Sequence, residues 1–151
     1  MPDLNSDLTA TLRAVAETLS TAQDPWWVIG SSAVALHGGE PGVVADVDVI
    51  TSRRDLDDLY TRLPLTNTPE EGKAMFTSER FGRWSENPLD VEFMAHLKLR
   101  VGKDWQPVEP QSREAIQLDE RTLYVPEKSE LIAILHRFGR EKDLRRAATL
   151  T

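Results

Sequence analysis

The sequence predicts an α/β (α+β) domain with a small mixed central β-sheet, flanked by helices and closed by C-terminal helices. Three observations predict it. Apolar residues at helical spacing alternate along the chain with short runs of strand formers, the pattern of helices packed on a sheet. The chain has 151 residues, 40% of them hydrophobic and 28% charged. That is the size and composition of one globular domain able to bury about two-thirds of its unfolded surface. It contains no cysteine, so the core must form without disulfide or thiolate–metal staples. One domain over residues 1–151 is expected, with a core over about 26–125 and C-terminal helices over about 127–150.

The elements follow in order. Leu4, Leu8, Leu12, Val15 and Leu19 form one stripe of an amphipathic helix. Asp24-Pro25 stops it, because proline disfavours helical geometry in the residue before it. Trp26-Trp27-Val28-Ile29 reads as a strand closed by Gly30, and Ser31 and Ser32 as the cap of a short helix from Ala33 to His37 that Gly38-Gly39 ends. Pro41 and Gly42 make a turn into a second strand, Val43 to Ile50. Ser52 and Asp55 have the spacing of a capping box for a helix from Arg53 to Leu63. Pro64 to Gly72 is a polar loop, followed by two weak strands near Ala74–Thr77 and Arg80–Ser85. Leu89 to Met94 alternates cleanly. Ala115–Leu118 and Thr122–Val125 pair as a hairpin, and Pro126 opens a helical region in which Leu131, Ile134, Leu135 and Phe138 share a face. Gly139 breaks that region before Lys142 to Leu150.

Composition excludes several kinds of chemistry. Without cysteine there is no zinc–thiolate site, iron–sulfur cluster or cysteine nucleophile. Eighteen Lys and Arg against twenty-five Asp and Glu leave a net charge of −7. This disfavours non-specific binding to nucleic-acid backbone, which runs on counterion release by basic side chains. The start Met1-Pro2-Asp3-Leu4-Asn5-Ser6-Asp7 lacks the basic and apolar runs of a signal peptide, and no stretch approaches the roughly 18 apolar residues of a membrane span. A cytoplasmic location with no membrane contact is expected.

The segment Val43-Val44-Ala45-Asp46-Val47-Asp48-Val49-Ile50 is the most informative. Side chains alternate faces on a strand, so Asp46 and Asp48 point one way and Val47 and Val49 the other. Two such carboxylates repel unless a cation or a proton sits between them, and oxygen-only ligands on a rigid strand suit Mg²⁺. The plain alternative is a solvated strand face. Upstream, Val28-Ile29-Gly30-Ser31-Ser32 runs from a strand through a glycine and two hydroxyls into a helix. Exposed amides there favour an anion, although serine capping alone also gives this pattern. Downstream, Leu89-Asp90-Val91-Glu92-Phe93 puts two further acids on one strand face, and spacing does not separate Asp90 from Glu92. A calcium loop is excluded, because the ligand position after Asp46 and Asp48 falls on Ile50.

Taken in order, the strand ending in Gly30-Ser31, the short helix through Val34, His37 and Gly38, the Asp46-Val47-Asp48-Val49 pair and a later apolar-flanked acid resemble the nucleotidyltransferase superfamily related to DNA polymerase β. The resemblance covers approximately residues 26 to 148. The tail from Pro126 through Phe138-Gly139-Arg140-Glu141-Lys142-Asp143-Leu144 is similar to the closing helices of its small stand-alone members. These include antibiotic-modifying enzymes and toxins of toxin–antitoxin pairs.

The resemblance implies a nucleoside monophosphate passed from a nucleoside triphosphate (NTP) to an acceptor hydroxyl on a small molecule, a protein or an RNA end. Asp46 and Asp48 would bind two Mg²⁺ ions, with Asp90 as third ligand and general base and Glu92 in reserve. Gly30 and Ser31 would hold the β- and γ-phosphates. The acidic balance makes a large RNA the least favoured acceptor, and a second copy of the chain is a conceivable partner that completes the cleft. The other function class is a non-catalytic nucleotidyltransferase-like protein that binds a nucleotide or a protein partner, for example within a toxin–antitoxin pair.

The chain also departs from the pattern. Between Gly30-Ser31 and Asp46 it is one residue longer than the small members, and Glu40-Pro41-Gly42-Val43-Val44-Ala45 lacks the Arg and Thr they often place there. Arg53 and Arg54, just beyond the strand, either compensate or are solvated helix-start residues, while Arg140, Lys142 and Asp143 either reach the nucleotide or form a surface ion-pair cluster. His37, His96 and His136 are scattered and read as packing, surface or hydrogen-bonding groups, not as a metal triad. Trp26, Trp27, Trp84 and Trp105 read as core or pocket wall.

Overall fold

The computed structural model describes residues 4–68 and 74–151. Residues 1–3 and the end of the expected Pro64–Gly72 loop lie outside the described residues. Helix α1 (Ser6–Thr18) opens on Asn5, whose side chain accepts from the Leu8 amide at 2.8 Å, and it buries Leu8, Leu12 and Val15 as its apolar stripe requires. Strand β1 (Trp27–Ile29) leads directly into helix α2 (Gly30–Leu36). The helix starts earlier than its serines suggest: Ile29 is the cap residue, without a side-chain bond, and Ser31 and Ser32 lie in the first turn.

Strand β2 (Asp46–Thr51) is shorter at its start than the apolar run Val43–Ala45 implies, and Val43 is 84% exposed. The reason is pairing. β1 runs antiparallel to β2 and has turned into α2 beyond Ile29, which faces Asp48. Strand β4 (Asp90–Val101), parallel to β2, begins opposite Asp46. Ahead of Asp46 the backbone has no ladder to join.

Helix α3 (Arg53–Arg62) is capped by Ser52, which accepts from the Asp55 amide at 3.2 Å. The expected capping box is only half made. Asp55 is buried and spends its carboxylate on the amides of Gln23 and Asp24, each at 2.9 Å, tying α3 to the turn before β1. The two weak strands expected around residue 80 are one strand, β3 (Phe76–Trp84), antiparallel to β4. Strand β5 (Asp104–Pro107), exposed throughout and without a readable pattern, pairs with the far half of β4. The central sheet therefore has the order β1-β2-β4-β3, with β5 continuing along β4 where β2 leaves off, and it is mixed as expected.

The sheet buries both faces. Along β4, Val91, Phe93 and Ala95 join the larger core, while Met94 faces the smaller one. Strict alternation would put His96 next to Met94. His96 instead takes a φ of +55°, and beyond it Leu97 and Leu99 share the Met94 side. That kink lets one strand serve two cores. The larger core is closed by α1, by α2 and by the predicted hairpin, β6 (Glu114–Leu118) and β7 (Arg121–Val125), with Leu118, Leu123 and Val125 inward. Helix α4 (Lys128–Phe138) buries Leu131, Ile134, Leu135 and Phe138 and ends at Gly139, whose φ of +71° stops the helix. Helix α5 (Glu141–Ala148) then turns back across α2. No helix among the described residues is long and apolar enough to cross a membrane.

Candidate functional site

Alternation along β2 sends Val47 and Val49 into the larger core and leaves Asp46 and Asp48 together on the opposite face. The parallel register sets Asp46 beside Asp90 and Asp48 beside Glu92. Of these four, Asp46, Asp48 and Glu92 offer carboxylate oxygens within 4.8 Å of one another. Asp90 is exposed at the open start of β4 and is not in that group. The acid that sequence reading held in reserve is the one the fold brings in. Glu92 is 4% exposed, and Arg83, its cross-strand neighbour on β3, donates to it at 2.9 Å. The chemistry of this donor set, three hard carboxylate oxygens converging from two hydrogen-bonded strands, fits Mg²⁺.

Gly30 stands against these acids because β1 delivers Ile29 opposite Asp48. Its φ is +67°, and a Cβ there would lie 3.2 Å from Asp48 Oδ2. The conformation favours glycine, and a larger residue would make the Asp48 carboxylate give way by a few tenths of an ångström. Gly30→Ala is expected to cost about 1–2 kcal/mol through the left-handed backbone and to displace the Asp48 carboxylate. Urea unfolding and Mn²⁺ titration of the variant would measure the two effects separately. Ser31 lines the same cavity, whereas the Ser32 hydroxyl turns to the Asp46 carbonyl at 3.4 Å.

The acids form one side of a cavity of about 480 Å³. Ile29, Phe81, Met94, Leu97 and Phe138 give it an apolar floor, and the α4–α5 corner supplies a further wall with Arg140, Lys142, Asp143 and Arg146. Arg140 is held bidentately by Asp143, at 2.6 and 3.1 Å. Arg146 reaches across to the loop ahead of β2, donating from Nε to the Pro41 carbonyl at 2.7 Å and from Nη2 to that of Val43 at 3.3 Å. Burial lowers the Arg146 pKa from its ordinary value, an effect that the Asp143 and Asp46 carboxylates oppose. Arginine stays charged under such shifts. No sequence signal linked Arg146 to the site, since the pairing spans 105 residues.

The other cations singled out from sequence are occupied elsewhere. Arg53 pairs with Asp57 and Glu79, and Arg54 pairs with Asp24 at 2.7 Å. Those side-chain hydrogen bonds raise the pKa of both guanidiniums. His37 is a hydrogen-bonding group, 2.8 Å from the Pro126 carbonyl, and His96 and His136 are exposed. Trp26 and Trp84 are core residues, while Trp105 is exposed on β5.

No protein-family model and no curated protein matches this chain. Solved structures do match it. The Thermotoga maritima protein TM1012, named as a putative nucleotidyltransferase, aligns with 93% of this chain and 88% of its own at 21% identity and a TM-score of 0.67. An antigenic nucleotidyltransferase-like protein from Paracoccidioides brasiliensis aligns over 99% of this chain and 78% of its own, at 15% identity and a TM-score of 0.59. The antibiotic-resistance factor ANT(2'')-Ia aligns over 97% and 84%, at 11% identity and a TM-score of 0.61. At these identities the likeness is one of architecture, and it establishes that this chain is a small protein of the nucleotidyltransferase fold.

Proposed function

We propose that this protein is a Mg²⁺-dependent nucleotidyltransferase. An acceptor hydroxyl attacks the α-phosphorus of a nucleoside triphosphate, the bond to the bridging oxygen breaks, and pyrophosphate leaves with that bonding pair. The acceptor keeps the nucleoside monophosphate. The observation that carries this reading is the meeting of Asp46, Asp48 and Glu92 within 4.8 Å at the side of a cavity large enough for a nucleotide.

In this reading Asp46, Asp48 and Glu92 hold the metal ions, and Asp90 takes an outer position. Bound Mg²⁺ supplies charge neutralisation for the phosphates and the departing pyrophosphate. The remaining roles belong to the chain. Gly30 lets the phosphates approach the backbone closely, and Ser31 offers a hydroxyl donor. Glu92 accepts the proton of the acceptor hydroxyl, held in position by Arg83. The apolar floor formed by Phe81, Met94 and Leu97 excludes water from the reacting atoms.

One observation favours the second reading, a non-catalytic member that binds a nucleotide or a protein partner: Glu92 already has a cation beside it in Arg83. Thermal melts of the full chain with each nucleoside triphosphate, with and without Mg²⁺, separate the outcomes. A ligand at a hundred times its Kd adds about 2.7 kcal/mol. For a domain of this size that raises Tm by roughly 5–10 °C. A Mg²⁺-dependent rise with slow pyrophosphate release supports the enzyme. A rise without pyrophosphate release supports the binding protein, and no rise at millimolar ligand overturns both nucleotide readings.

A further inference from the structure

The loop that enters β2, Glu40-Pro41-Gly42-Val43-Val44-Ala45, carries no cation. A triphosphate brought to Asp46 and Asp48 still needs positive charge for the phosphate oxygens that bound metal would leave uncovered. Helix α5 supplies it. Lys142 and Arg146 are four residues apart, on one face of that helix, and both line the cavity. The neighbouring cations are committed to carboxylates: Arg140 to Asp143 and Arg145 to Glu141. Among the described residues Lys142 is exposed and makes no ion pair, and Arg146 makes none either. Arg146 gives two of its five N–H groups to the Pro41 and Val43 carbonyls, which fixes the guanidinium at the mouth of β2 and leaves three donors for a ligand.

We infer that Lys142 and Arg146 form the polyphosphate-binding wall of this cavity, gripping the β- and γ-phosphates of the nucleotide from the C-terminal helix. This inference rests on the nucleotidyltransferase reading of the carboxylates. Arg146 has a second task, since the same guanidinium straps the loop ahead of Asp46. Lys142 has none visible, and its substitution isolates phosphate binding from folding.

The test is calorimetric titration of the full chain with inorganic tripolyphosphate in Mg²⁺, beside titration with Mn²⁺ alone, which reads the carboxylates without phosphate. Lys142→Ala is expected to weaken tripolyphosphate binding about tenfold, or ~1.4 kcal/mol, while Lys142→Arg restores it. Mn²⁺ binding should stay within about twofold of wild type, and a surface control on the turn after β4, Lys103→Ala, should change nothing. Arg146→Lys should weaken tripolyphosphate binding as well, with melting used to confirm that it folds. If Lys142→Ala binds tripolyphosphate as wild type does, the wall is misassigned, and retained Mn²⁺ binding would leave the metal-site reading standing. If wild type binds neither Mn²⁺ nor tripolyphosphate, the inference and the reading beneath it both fall.

Discussion

Replacing Asp46 and Asp48 together by Asn is expected to abolish the Mg²⁺-dependent rise in Tm and to lower nucleotidyl transfer on the order of a thousandfold or more. The magnitude follows from the chemistry. Phosphoryl groups carry charge throughout the reaction, so a site of this kind works by positioning and neutralisation, and removing two of three ligands removes both. In metal-free buffer the same substitutions should change Tm little. They delete two like charges held side by side, which offsets what their present contacts contribute. The measurement is therefore the difference between wild type and variant with metal and nucleotide minus that difference without them. A generic domain with coincidental acids gives the same difference in both buffers, and that result would sink the assignment.

Parts of this site were legible in the sequence because they depend on local periodicity. The two-residue repeat of a strand puts Asp46 and Asp48 on one face whatever the rest of the chain does. Gly30 was legible as a position where backbone is exposed, though not as one pressed against Asp48, because that contact comes from the antiparallel register of β1 on β2. The third carboxylate was not legible. The spacing of Asp90 and Glu92 is the same for either choice, and only the folded strands show that it is Glu92 whose carboxylate comes within 4.8 Å of those of Asp46 and Asp48. Asp90 lies where the strand emerges into solvent, and Glu92 lies two residues further in, under cover. Arg83 and Arg146 were missed for a related reason, since each reaches the site only through tertiary pairing.

The fold shows the same division. The stripes of α1 and α4 and the β6–β7 hairpin follow from local pattern, and the boundaries found are close to those read from the residues. Strand β5 has no such pattern: all four of its residues are exposed, and only the free edge of β4 beyond Ala95 calls it into the sheet. Val43 to Ala45 err in the other direction. Their composition suits a strand, but no partner strand reaches them, and Arg146 takes the Val43 carbonyl instead. That exchange places a cation beside the acids, so the failure of the strand is part of how the cavity acquires its charge.

The second large effect concerns Glu92. Its side chain is 6% exposed and that of Arg83 20%, so the pair is mostly removed from water. Glu92→Gln leaves the Arg83 guanidinium without its nearest carboxylate, and breaking such a pair from one side costs up to about 3 kcal/mol. That is a substantial part of the 5–15 kcal/mol by which domains of this kind are stable. The same change removes one of three metal ligands and should weaken Mn²⁺ binding about a hundredfold, or ~2.7 kcal/mol. Asp90→Asn, at an exposed strand end, should stay within about 0.5 kcal/mol in stability and within about threefold in Mn²⁺ affinity. The contrast is what matters, because the two acids are two residues apart on one strand and differ mainly in depth. If urea unfolding and Mn²⁺ titration show Asp90→Asn to be the more damaging change, the metal is bound at the outer end of β2, between Asp46 and Asp90. Glu92 would then serve only to bury Arg83.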